Sequence, residues 1–184
     1  MSAVLSGDGL RLRAPEAADY QSWAALREIS RAHTERWQPS WSVDELTRPA
    51  YERRLDSYQA DIEARTGYPF FIFQDSDDAL VGACILSDVR RGVLQAANLG
   101  YWVGAPYVRK GYGSAAVRLV VRFAFETLGL NRVEAATRPE NEASSRLLRS
   151  AGFTHEGEAR RYLKIDGDWR DHLKFAILHD DPLR

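Results

Sequence analysis

The chain carries a single cysteine, Cys84, among 184 residues, so no disulfide can close within it. CxxC is absent, which removes thioredoxin-type redox chemistry and any zinc site built on cysteine. Cys84 lies in the apolar run LVGACILSDV and reads as a buried structural thiol. Long hydrophobic runs are missing too: none approaches the length that crosses a bilayer. The start, MSAVLSGDGLRLRAP, lacks a signal-peptide pattern, so a cytoplasmic protein is expected. An excess of one charge is also absent. A net charge of −1 is far from the basic balance of a general nucleic-acid binder, and neither direct nucleic-acid nor membrane binding is expected. His33, His155, His172 and His179 have no metal-like spacing, HExxH is missing, and no metal site is expected. There are no repeats or low-complexity linkers. The length and a hydrophobic content of 45% suit one domain, residues 1–184, with a real core.

What is present is an interleaving of strands and helices. GLRLRA alternates as a short first strand. PEAADYQSWAALREISRA opens on a proline suited to a helix start and spaces Tyr20, Trp23, Arg27 and Ile29 helically. ERWQPSW then sets Trp37 and Trp41 around Pro39. A second helix is expected from near Pro49, with Tyr51, Leu55, Tyr58 and Ile62 as its stripe. PFFIFQ, ALVGACILSDV and ANLGYWVG read as strands. SAAVRLVVRFAFETLGL is a helix with Val117, Val120, Val121, Ala124 and Leu128 on one face, closed by Gly129. NRVEAAT is a strand and NEASSRLLRSAGF a helix closed by Gly152. The last segment reads as two strands around an Asp166-Gly167 turn. The pattern fits an α+β, or mixed α/β, sheet rather than a doubly wound one.

One stretch carries chemistry. YVRKGYGSAAVRL places Arg109 and Lys110 before Gly111 and Gly113, at the start of a helix. A helix N-terminus offers unpaired N–H groups and partial positive charge, and glycines let backbone approach an anion. A diphosphate suits it. The Walker loop pattern is absent, which argues against a nucleotide triphosphatase. GYGSAA satisfies the GxGxxA form of a dinucleotide fingerprint, but seven residues, Gly104 to Lys110, separate it from the preceding strand. A plain tight turn would keep the glycines but gives no reason for Arg109 and Lys110. Coenzyme A is the third candidate guest.

Four linked motifs, LGYWV, RKGYG, NEASSRLLRSAGF and EGEARRYLKIDGDWRDH, resemble GCN5-related N-acetyltransferases (GNAT). The likeness spans about residues 8 to 180 and is closest to the RimJ/RimL type, which acetylates N-terminal alanine of ribosomal proteins; ERWQPSW and SDVRRG look nearest to RimJ. The resemblance implies a mostly antiparallel, twisted sheet flanked by helices and splayed at the acetyl-CoA-binding strand. It implies pantetheine pairing with backbone of Tyr101, Trp102 and Val103. It places the diphosphate on amides of Arg109, Lys110, Gly111, Tyr112, Gly113 and Ser114. Asn141 and Ser144 match the family's NxxS and are expected near the thioester. Val108 departs from the motif, which has Arg or Gln there.

Transfer requires an amine that has lost a proton, a stabilised oxyanion and a protonated leaving thiol. Many relatives supply a tyrosine where this chain has Leu148; Ser144 is the candidate acid, or a residue that lines the helix start. A glutamate often precedes LGY, and here that position is Asn98, which accepts no proton. The base is left unassigned, with Asp88, Glu156 and Tyr162 as candidates. At pH 7 an α-amine is deprotonated at a cost about 3.5 kcal/mol lower than lysine, so Asn98 favours an α-amine acceptor. Trp37 and Trp41 are either core or a substrate-binding wall. Arg90 and Arg91 read as solvated, and Arg170 is expected to pair with Asp171. The partners expected are acetyl-CoA and the N-terminus of a ribosomal protein, with the enzyme a monomer or homodimer. A small-molecule amine acceptor, or a non-catalytic coenzyme-A-binding module on the ribosome, is the alternative.

Overall fold

The computed structural model describes residues 3–184. An eight-stranded sheet runs in the order β1 (Leu5–Gly7), β2 (Leu10–Arg13), β3 (Tyr68–Gln74), β4 (Leu80–Arg90), β5 (Ala96–Val103), β6 (Arg132–Thr137), β8 (Asp168–Leu178) and β7 (Thr154–Ile165). Every neighbouring pair is antiparallel except β5 and β6. The mixed α/β fold with a mostly antiparallel sheet is therefore as the resemblance implied. The strand β1 was not expected; it forms a tight hairpin with β2 around Asp8 and Gly9, both with positive φ.

Four helices flank the sheet: α1 (Tyr20–Thr34), α2 (Arg48–Ala64), α3 (Tyr112–Arg122) and α4 (Glu142–Ser150). Alternation along the strands divides the core between two faces. Phe70, Ile72, Cys84, Leu86 and Leu99 pack with Val117, Val120, Val121 and Leu148 of α3 and α4. Phe71, Phe73 and Ala83 pack with Trp23, Leu26 and Tyr51 of α1 and α2. Cys84 is fully buried, as its apolar run implied. Ile29 is exposed, contrary to its place in the expected stripe; Trp23 and Arg27 turn inward as expected, joined by Leu26 and Ser30. Leu55, Tyr58 and Ile62 are half-buried, so α2 anchors chiefly through Tyr51. The α3 helix begins at Tyr112, earlier than expected, and passes after Arg122 into a π-helical turn, Phe123–Thr127, before Gly129 at φ 64°. Gly152 closes α4 at φ 102°.

The feature that positions the site is the β5–β6 junction. The two strands pair only at Ala96, Ala97 and Asn98, against Arg132, Val133 and Glu134. Yet β5 stays paired with β4 out to Val103, and β6 stays paired with β8 out to Thr137. From Leu99 onward the two strands diverge, and one edge of β5 loses its partner. Among the described residues, no helix is long and apolar enough to cross a membrane.

Candidate active site

The site lies along the outer half of β5. Leu99 and Tyr101 pack toward α3 and α4, whereas Trp102 packs toward α1 and α2. Asn98, an even position like Trp102, shares the α1/α2 face. The backbone edge left open from Leu99 to Val103 can accept an extended chain as an added strand.

Just past β5, Arg109 adopts φ 62° and Gly111 φ 83°, with Lys110 between them at negative φ. Such alternation turns successive N–H groups to one side and makes an anion-binding nest. None of the N–H groups of residues 109–114 donates to a backbone acceptor among the described residues. Arg109 and Lys110 are exposed beside them, and Lys110 Nζ lies 5.5 Å from the Tyr107 ring centre. The glycines serve different ends. Gly111 holds a left-handed conformation with open space around it. A β-carbon on Gly113 would lie 2.9 Å from Leu147 Cδ1, so that glycine also lets α3 meet α4. The open strand edge, the nest and the two cations together fit the pantetheine and diphosphate of coenzyme A.

On the α3/α4 face, Asn141 caps α4: its Oδ1 accepts the Ser144 N–H at 3.2 Å. Ser144, in the first turn, shares a 2.8 Å hydrogen bond between its Oγ and the Tyr101 hydroxyl. Burial pushes the Tyr101 phenol up, so it stays protonated at neutral pH and can donate. Leu148 is buried one turn further along α4. α4 carries no phenol here, and β5 brings the Tyr101 hydroxyl to Ser144. Sequence reasoning named Tyr101 only for its backbone; the alternation of β5 was the signal that could have placed its ring.

The α1/α2 face is polar at the vertex. Asn98 Nδ2 donates to Asp88 Oδ2 at 3.2 Å. Arg90 Nη2 lies 2.7 Å from Glu134 Oε2, and Arg132 Nε 2.8 Å from Glu134 Oε1. Burial works to raise Glu134, but hydrogen bonds from Arg90 and Arg132 outweigh it and hold the carboxyl below the usual range. Arg132 also grips Glu156 and lowers it. Arg90 is therefore an ion-pair partner on β4 rather than a solvated cation, and Arg91 donates to the Leu128 carbonyl. Tyr162 sits on the β7–β8 hairpin, accepting from Lys174 Nζ at 2.9 Å. Of the three candidate bases, Asp88 is the one beside Asn98.

Segment 35–47 crosses this face. Trp37 and Trp41 are half-buried and belong to neither core cluster. Arg36 and Arg138 lie over Trp37 at 4.8 and 5.6 Å, and Arg138 Nη1 donates to the Arg36 carbonyl at 2.9 Å. Arg27 lies 4.2 Å from the Trp41 ring centre and 5.1 Å from that of Trp102, and donates to Gln38 Oε1 at 2.8 Å. Burial pushes Arg27 down to about 10, still cationic at neutral pH. The segment is therefore tied to both arms of the splay, through Trp102 on β5 and Arg138 just past β6. Arg27 was read only as part of a helical stripe.

His172 is buried, with Nδ1 3.0 Å from the Arg170 carbonyl, and burial lowers its pKa. Arg170 pairs with Asp168, while Asp171 accepts the Arg161 N–H, so the expected Arg170–Asp171 pair does not form. Consecutive strand residues point to opposite faces, which keeps them apart. Among the described residues, no group of three His, Cys, Asp or Glu could hold a metal ion.

The acetyltransferase (GNAT) domain profile matches residues 9–154. The chain is 38% identical over 178 residues to the "Probable N-acetyltransferase YjcK" of Bacillus subtilis, covering 97% of this chain and 98% of that one. It is 29% identical over 177 residues to the ribosomal protein uS5-alanine N-acetyltransferase of Escherichia coli, covering 96% and 91%. The solved structure of Mycobacterium smegmatis RimJ in complex with CoA-disulfide superposes with a TM-score of 0.88 at 31% identity, covering 96% of this chain and 86% of that one.

Proposed function

The chain belongs to the GNAT acetyltransferases and is an acetyl-CoA-dependent N-acyltransferase; from that premise we propose that its acceptor is a protein N-terminal α-amine, specifically the alanine of a ribosomal protein. The observation that carries this reading is likeness along nearly the whole chain to a uS5-alanine N-acetyltransferase. The 31% identity to the mycobacterial RimJ supports it.

In this reading the whole chain, 1–184, is one acetyltransferase domain working in the cytoplasm. Residues 101–103 pair with pantetheine and residues 109–114 hold the diphosphate. The amine attacks the thioester directly in a ternary complex. The Tyr101–Ser144 pair protonates the departing sulfur, with Tyr101 kept in its donor form by burial. Trp37 and Trp41 border the entry of the peptide.

The test is incubation with acetyl-CoA and peptides matching ribosomal N-termini, each with an internal lysine, read by tandem mass spectrometry. Acetyl on the terminal nitrogen is expected. Acetylation confined to lysine side chains or to free small amines overturns the acceptor assignment. Acetyl-CoA binding with no transfer to any amine overturns the catalytic reading of the site.

A further inference from the structure

We propose that Asp88 takes the proton from the acceptor ammonium, with Asn98 as its positioning residue. The inference rests on the acyl-transfer reading above. Its first support is place. The diphosphate nest lies beyond the C-terminal end of β5, so a pantetheine arm on the open edge runs back toward the vertex. Asn98 is the last residue of β5 to pair with β6. The reactive end of the cofactor therefore approaches Asn98, and Asp88 is bonded to it at 3.2 Å.

The second support is a bulge. Ser87 pairs with Asn98 and so faces α1 and α2. Strict alternation would turn residue 88 toward the α3/α4 core. Instead the register jumps from Ser87↔Asn98 to Arg90↔Ala96, which sets two residues of β4 against Ala97 alone. Asp88 takes φ 50°, a left-handed conformation that Asp and Asn tolerate better than most residues. Val89 fills the inward place and is buried, while Asp88 is turned out to Asn98. Bulges re-aim side chains in this way, often beside active sites. The sequence alone hides this, because the strand pattern assigns residue 88 to the wrong face.

The third support is elimination. The charged groups at the vertex are Asp88 and Arg90 on β4, Arg132 and Glu134 on β6, and Glu156 on β7. Two arginines hold Glu134 and one holds Glu156. Asp88 meets Asn98 Nδ2 and Arg90 Nε, both through Oδ2, and Oδ1 has no partner among the described residues. It is also open to solvent, with 58% of its side chain exposed, so a proton can pass on to water.

The step balances as follows. The α-ammonium loses two protons in becoming an amide. One passes to Asp88 and then to water; the other is released as the carbon–nitrogen bond forms and the carbon–sulfur bond breaks. The sulfur gains one proton from the Tyr101–Ser144 pair on the opposite face, and water restores the pair. One proton is released per turnover.

The test compares Asp88→Asn, Asp88→Glu and wild type on an alanine-starting peptide from pH 6 to 9. Asn keeps the left-handed backbone, and matched thermal melts check the fold. For Asp88→Asn, kcat at pH 7 is expected to fall about 100-fold, the scale of lost general-base catalysis. Its KM for acetyl-CoA stays within about twofold, because only transition-state interactions are lost. The acid limb of its pH profile moves up to the amine's own pKa, about 7.7–8.0. Asp88→Glu recovers at least about a tenth of the wild-type rate, as a retained carboxylate should. An Asp88→Asn enzyme with wild-type kcat and an unmoved acid limb overturns the proposal. If wild type acetylates lysine instead of the N-terminus, the acceptor assignment fails, and the same variant ratio measured on lysine still decides the role of Asp88.

Discussion

The two faces of β5 differ in what holds their chemistry. On the α3/α4 face, Tyr101 and Ser144 meet at 2.8 Å against the larger core, and the N-cap by Asn141 fixes the helix that carries Ser144. On the α1/α2 face, Asp88, Arg90 and Asn98 meet at a strand bulge, and Trp37 and Trp41 are held by arginines rather than by a hydrophobic core. In the proposed mechanism the first face handles the leaving thiol, which is the same in every turnover, and the second meets the amine, which differs between acceptors. Packing suits the constant task, and polar side chains at a bulge suit the variable one.

The largest break in this comparison is Tyr101→Phe. Removing the donor is expected to lower kcat about 100-fold while the peptide KM holds, since the phenol acts on the other side of the strand. Ser144→Ala should cost less, about tenfold, if Ser144 only orients the phenol. Steady-state kinetics at saturating acetyl-CoA separates the two.

Next is Arg27→Ala, which breaks the α1/α2 face alone. It empties the space between Trp41 and Trp102 and leaves Glu45 with one fewer cation. Arg54 still holds Glu45, so the cost is chiefly that of the cation–π contacts, about 2 kcal/mol, measurable by denaturant unfolding. The peptide KM should rise while the acetyl-CoA KM does not.

Val108→Arg should sharpen the cofactor end. A hydrogen bond to a charged group contributes roughly 1.5–3 kcal/mol, so acetyl-CoA should bind about tenfold tighter or better by calorimetry, with peptide KM unmoved.

The smallest effect is a pH slope. The folded pKa of His172 lies below its ordinary value because the ring is buried. Above about pH 6.5 neither state carries the proton. As pH falls below that value the unfolded chain takes up a proton that the folded chain refuses, so stability declines until the folded pKa is passed. Melting curves between pH 7 and 5 should fall less steeply for His172→Gln than for wild type.

Much of this molecule could be read in its residues. Cys84, the helix closed by Gly152 and the basic loop at Arg109 and Lys110 each announced their place through local pattern. What escaped depended on pairing between distant strands. Where β5 leaves β6 is a matter of register, and no periodicity within ANLGYWVG states it. The Asp88 bulge reverses the face that alternation assigns. The Tyr101 ring was legible in principle, but its hydroxyl gains meaning only once α4 brings Ser144 to it. Gly113 has a packing role that the sequence does not show, since a β-carbon there would meet Leu147. Ile29 was drawn inward by its apolarity, although the inward face of α1 spends its space on Arg27.

The most direct measurement is a crystal structure with coenzyme A and an alanine-starting peptide. The account predicts the peptide nitrogen on the α1/α2 face, about 3 Å from Asp88, and the sulfur beside Tyr101 and Ser144 on the other. A peptide nitrogen on the α3/α4 face, or one remote from Asp88 with the sulfur remote from Tyr101, would contradict it.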